Sequence, residues 1–169
     1  MPKCVPELFD GKNSLDDWTN EIENQLDKQL KFNDTKFIKT AIAYNRSLKF
    51  DKVDYNLANE QFNKSLETKQ FPKELQDYMM HYLLKLANER NLTVQIHTGL
   101  LEGNGNTLSN SDPSLLNNLF FEFPNVDFDL FHISYSYQNV ALALCKMFPN
   151  VYIDMCWAHI ISPSASISA

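Results

Sequence analysis

Leu15, Trp18, Ile22, Leu26 and Leu30 recur at helical spacing and draw one apolar face, and Ser14 with Asp17 makes a capping box just ahead of them. The segment TKFIKTAIAY, residues 35–44, is short, apolar and partly β-branched, which predicts a buried strand. A polar connector and a weaker helix over about residues 54–66 follow. Pro72 then opens the strongest helix, with Leu75, Tyr78, Met79, Tyr82 and Leu86 on one stripe and Asn91 near its stop. LTVQIHT is the next strand, and a loop carrying three of the chain's four glycines comes after it. Asp112 and Pro113 read as N-cap and first helical residue, with Leu115, Leu116, Leu119 and Phe120 as the packing face. VDFDLFH (residues 126–132), a helix over residues 137–147 and VYIDM (residues 151–155) complete the pattern. Four repeats of strand then helix, the last incomplete, predict a parallel α/β sheet, because a crossover helix is what returns the chain to a parallel neighbour.

Composition narrows the function classes. The 169 residues and 19.6 kDa suit one ordinary domain with its own hydrophobic core. A net charge of −6, a pI near 5.1 and scattered lysines give no basic footprint for nucleic acid or an anionic membrane. The N-terminus lacks a signal-peptide core and no apolar run reaches the length of a membrane span, so the expectation is a soluble cytoplasmic protein. Cys4, Cys145 and Cys156 are odd in number and far apart, which reads as reduced thiols.

Chemistry concentrates where strands end. In parallel α/β sheets functional groups gather at the C-terminal strand ends. His97 and His132 both stand there, 35 residues or one βα unit apart. Neighbouring strands lie about 4.8 Å apart, so the two imidazoles could share a divalent ion, zinc or manganese. The alternative is two histidines held by backbone hydrogen bonds. His81 falls away from its helix's apolar stripe and reads as solvated; Trp157 and His159 follow the last strand, either lining a site or packing on helix ends. The GNGN of residues 103–106 lacks the spacing of a phosphate cradle and reads as a turn. The serines at 109, 111 and 114 have no nucleophile-elbow context.

VQIHTG, SDPSLL, FDLFH and above all MFPNVYIDMCWAHIISP resemble the amidohydrolase-related family, metal-dependent enzymes on a (β/α)8 barrel. The likeness covers roughly residues 35–164 and implies strands 4 to 7 of that barrel. The expected organisation is an N-terminal helical segment (1–34), a partial barrel of about four parallel βα units that this chain alone does not close (35–164), and a short low-complexity tail (165–169). The resemblance implies His97 and His132 as metal ligands or their neighbours. It places Lys39 at the mouth of the site, against a surface or ion-paired role. Asp154 becomes an orienting carboxylate or a hydrogen-bonded structural residue. The family's H-x-H pair of strand 1 and aspartate of strand 8 are absent, and ISYSY follows His132 where the family shows a glycine-containing turn. The expectation is therefore a metal-dependent hydrolase, with uronate-isomerase-like or decarboxylase-like chemistry among its relatives. It would act on a small molecule, with its divalent metal weakly bound or absent. The alternative is an inactive truncated half-barrel, an interaction module or gene fragment. An open barrel is also expected to leave Leu130 and Tyr152 in water and so either to favour a homodimer through that face or to leave the chain marginally folded and prone to aggregate.

Overall fold

The computed structural model describes Gly11 and residues 13–168; Cys4 lies outside them. The elements run α1 (Leu15–Asn33), β1 (Phe37–Thr40), α2 (Tyr55–Thr68), α3 (Lys73–Glu89), β2 (Thr93–Ile96), α4 (Asn117–Glu122), β3 (Phe128–Leu130), α5 (Gln138–Met147), β4 (Val151–Ile153), α6 (Ala158–Ile161) and α7 (Pro163–Ser168). Short 3-10 turns cover Ile42–Tyr44, Leu108–Ser111, Pro113–Leu116 and Phe131–Ser134. The chain forms two compact units: one holds the described residues up to Thr35 with Asp51–Leu86, the other Lys36–Phe50 and the described residues from Ala87.

The first unit is helical. Ser14 caps α1 by accepting from Asp17 N–H at 3.0 Å, as its sequence pattern requires, and Asp54 caps α2 through Leu57 N–H at 2.9 Å. Trp18 is the centre of its core, tilted on Phe62 and edge-on to Phe71, each at 5.7 Å between centroids, with Leu15, Ala58, Leu75 and Met79 around it. His81 corrects the sequence reading. It is half-buried, with Nδ1 2.9 Å from the Asp77 carbonyl one turn back.

The second unit is a four-stranded parallel sheet in the order β1-β2-β3-β4, open at both edges among the described residues and consistent with part of a (β/α)8 barrel. Register divides its two faces. Ile38, Val94, Phe128 and Val151 align in one row and Thr40, Ile96, Leu130 and Ile153 in another, and these rows are buried or half-buried. Lys39, Gln95, Asp129 and Tyr152 align between them on the opposite face. Leu130 and Tyr152 therefore point opposite ways, which overturns the expectation that both meet water. Leu130 is fully buried and Tyr152 is 52% exposed. On the open face Gln95 Nε2 donates to Asp129 Oδ2 at 2.9 Å, and the rings of Phe37 and Tyr152 are half-exposed beside them.

Strands are shorter than their patterns. The residues 42–44 of the first expected strand turn into a 3-10 helix, and β3 stops at Leu130 before reaching His132. The serine-rich end is ordered as α7, where Ser162 Oγ accepts from Ala165 N–H at 3.3 Å. Among the described residues no helix is long and apolar enough to cross a membrane.

Candidate functional site

The site is built where β2 and β3 end. His97 N–H donates to the Thr40 carbonyl at 3.0 Å, which carries the ladder one residue past β2 and aims the ring to the same face as Lys39 and Gln95. After β3 the chain behaves differently. His132, Ile133 and Ser134 all take left-handed backbone, with φ of 62°, 49° and 52°. For a β-branched residue such as Ile133 this conformation costs roughly 1–3 kcal/mol, so the surroundings must impose it.

Asp154, just beyond β4, does much of the imposing. Its Oδ1 accepts from His132 N–H at 3.0 Å and from Cys156 N–H at 2.9 Å, while its carbonyl accepts from Ile133 N–H at 2.9 Å. Thr98 adds two ties, one hydroxyl contact to Ser134 Oγ at 2.8 Å and one to the Phe131 carbonyl at 3.2 Å. Ile133 is buried against Ala158 and Ala165. The turn therefore swings His132 out of strand alternation and onto the open mouth.

The two imidazoles meet there. Their centroids are 4.8 Å apart in an edge arrangement. Each ring is tied through one nitrogen to a backbone carbonyl: His97 Nε2 to Leu100 O at 3.1 Å and His132 Nδ1 to Cys156 O at 2.6 Å. A carbonyl only accepts, so these nitrogens carry the protons and the lone pairs fall on His97 Nδ1 and His132 Nε2. Fixing one nitrogen to free the other is how proteins prepare an imidazole for a metal.

Burial is the main cause that holds the His97 pKa below the ordinary 6.5; its bond to Leu100 opposes the shift, while His132 and Lys39 add to it. A neutral ring is thus kept available below the pH at which a free histidine protonates. In the unfolded chain His97 takes up a proton first, so its contribution to stability is fully present above 6.5 and is lost as pH falls toward the folded value. Urea unfolding of the wild type and of His97→Gln from pH about 7.5 to about 5 checks this: the wild type should lose more stability over that window. Equal losses would remove His97 as the cause.

Other residues complete the mouth. Lys39 Nζ lies 3.6 Å from the Phe131 ring centroid, a cation over an aromatic face. Asp129, on the same face, has its pKa raised mainly by burial, with the bond from Gln95 and then Lys39 opposing the rise. A cavity of about 680 Å³ opens in front, walled among others by Lys39, Tyr44, His97, Phe131, His132 and Trp157. His97, His132 and Lys39 are therefore brought together, while Asp154 stands behind His132 as the acceptor that shapes its turn. Trp157 lines the cavity; His159 is exposed on α6 and is not among its walls. Cys145 is half-buried, with its thiol pKa raised by burial, and Cys156 is exposed. Sequence reasoning missed Tyr44 and Asp129. The alternation of Asp127 and Asp129 around Phe128 carried a signal for Asp129; nothing marked Tyr44.

Residues 58–166, well over half of the 169, match the family model described as amidohydrolase. The chain belongs to the amidohydrolase family. Protein fluG of Emericella nidulans is 38% identical over 88 residues, which are 49% of this chain and 10% of that protein. A crystal structure of a protein assigned as a metal-dependent hydrolase from Lactobacillus casei superposes with a TM-score of 0.79 at 22% identity, covering 95% of this chain and 43% of that one. The amidohydrolase chain thus spans a tenth of the first relative and under half of the second.

Proposed function

We propose that this chain carries the two-histidine part of a divalent metal site in a metal-dependent hydrolase acting on a small carbonyl-containing molecule. One observation carries the reading: His97 and His132 stand 4.8 Å apart with their other nitrogens spent on backbone carbonyls. The donor chemistry fits a borderline ion such as zinc, or manganese, which imidazole lone pairs bind when the ring is neutral. When bound, a divalent ion supplies Lewis acidity to a carbonyl oxygen. His97 Nδ1 and His132 Nε2 would hold it. Asp154 fixes the turn that presents His132, and Lys39 stands at the mouth over the Phe131 ring. Isomerase-like or decarboxylase-like chemistry would use the same two ligands; the family description favours hydrolysis.

A second reading, a half-barrel that binds without turnover, draws on a different observation. Among the described residues no cluster of three or more His, Cys, Asp or Glu side chains is placed to hold a metal. Two imidazoles alone bind zinc weakly, and turnover would then need ligands from outside these residues.

Zinc calorimetry on the purified chain tests the first reading. Weak binding is expected, reduced at least about tenfold by His97→Ala or His132→Ala and left unchanged by His81→Ala. A double His97→Ala, His132→Ala variant that binds zinc like the wild type would end it.

A further inference from the structure

Tyr44 takes no part in the reading above, yet it touches both the histidine and the glycine-bearing loop. Its ring stands edge-on to His97 at 5.1 Å between centroids, and its hydroxyl accepts from Glu102 N–H at 3.0 Å. Two residues back in the same loop, the Leu100 carbonyl accepts from His97 Nε2–H at 3.1 Å. The contacts close a circuit from Tyr44 through Glu102, Leu101 and Leu100 to His97 and back to Tyr44.

The circuit matters because of what it constrains. The Leu100 carbonyl belongs to the peptide plane between Leu100 and Leu101, and such a plane can rotate by compensating changes on either side unless both flanks are held. Upstream, Leu100 N–H donates to the Tyr135 carbonyl. Downstream, Leu101 is buried, and the hydrogen bond that ties the next residue outside the loop is the one from Glu102 N–H to Tyr44. Among the described residues, the other hydrogen bonds within residues 101–106 are those of Asn106 Nδ2 back to the carbonyls of Glu102 at 2.7 Å and Gly103 at 3.3 Å, which tie the loop only to itself. Gly103 and Gly105, at φ of +88° and +81°, let that segment double back, so it has little stiffness of its own.

We propose that Tyr44 is the positioning residue of His97: by holding Glu102 N–H it fixes the Leu100–Leu101 peptide with its carbonyl on His97 Nε2–H, and so sets the tautomer and orientation of the ring. The lone pair on Nδ1 is then directed at the mouth by a hydroxyl that never touches it. This rests on the metal-site reading only for what Nδ1 goes on to bind, since the tautomer and its hydrogen bond belong to the metal-free chain.

The test is imidazole NMR on the metal-free, 15N-labelled chain at mildly alkaline pH, where neutral tautomers are distinguished by their two-bond couplings. In the wild type, His97 should show a single Nε2–H tautomer with a slowly exchanging proton. Tyr44→Phe keeps the ring against His97 and removes the acceptor. It should speed exchange of that proton at least about tenfold and mix the tautomers, while His132 keeps its Nδ1–H unchanged. Tyr44→Leu removes the same acceptor without altering the loop backbone and should give the same result; it decides the matter if Tyr44→Phe does not fold. An unmoved His97 proton in a folded variant, or a wild-type ring protonated at Nδ1, overturns the inference. If Tyr44→Phe moves the His97 signals while His97→Ala binds zinc like the wild type, the ligand role of His97 fails and the Tyr44 inference stands.

Discussion

Gly99→Ala is expected to destabilise the sheet unit by more than about 3 kcal/mol, and to lower the soluble yield of the chain sharply. Gly99 sits at φ +71°, where a Cβ is already unfavourable, and that Cβ would run into the backbone of Ser134 and Tyr135. Neither flank can give way cheaply. Gly99 N–H donates to the Ser111 carbonyl at 2.9 Å, its own carbonyl accepts from Ser111 Oγ at 2.5 Å, and the opposing segment is the left-handed turn that presents His132. Urea unfolding gives the number, and a loss under about 1 kcal/mol would mean that the close approach of these two loops is misdescribed.

Asp154→Ala is expected to cost about 2–3 kcal/mol, because it leaves the amides of His132 and Cys156 without their charged acceptor. Asp154→Asn keeps an oxygen acceptor and should cost under about 1 kcal/mol. The functional effect should follow the same order. Without Oδ1 the left-handed backbone at His132 and Ile133 loses one of its ties, so the turn relaxes and zinc affinity should fall, though no further than in His132→Ala. An alanine variant with wild-type stability and zinc affinity would show that the turn holds itself.

Much of this fold is written in local chemistry. Ser14, Asp54 and Asp112 mark helix starts through side chains that accept from amides two or three residues on, and that information is complete within a few residues. The parallel order of the strands follows from their alternation with helices, and the meeting of His97 with His132 follows from the length of one βα unit. What failed was whatever depends on a distant partner. Phe131 and His132 close an apolar run without glycine and so read as strand; Asp154 and Thr98, from neighbouring strand ends, bend the chain there instead. The facing of Leu130 against Tyr152 needed the register between β3 and β4, since a one-residue shift exchanges the two sides of a strand. Tyr44 stayed invisible because its role comes from a loop 58 residues further along the chain.

Cobalt(II) bound to the 15N-labelled chain and read by paramagnetic proton NMR tests the shared metal site most directly. Two shifted, exchangeable imidazole protons are expected, Nε2–H of His97 and Nδ1–H of His132, each lost with its own alanine substitution. Shifts confined to His81 or His159, or cobalt bound with neither His97 nor His132 affected, would contradict it.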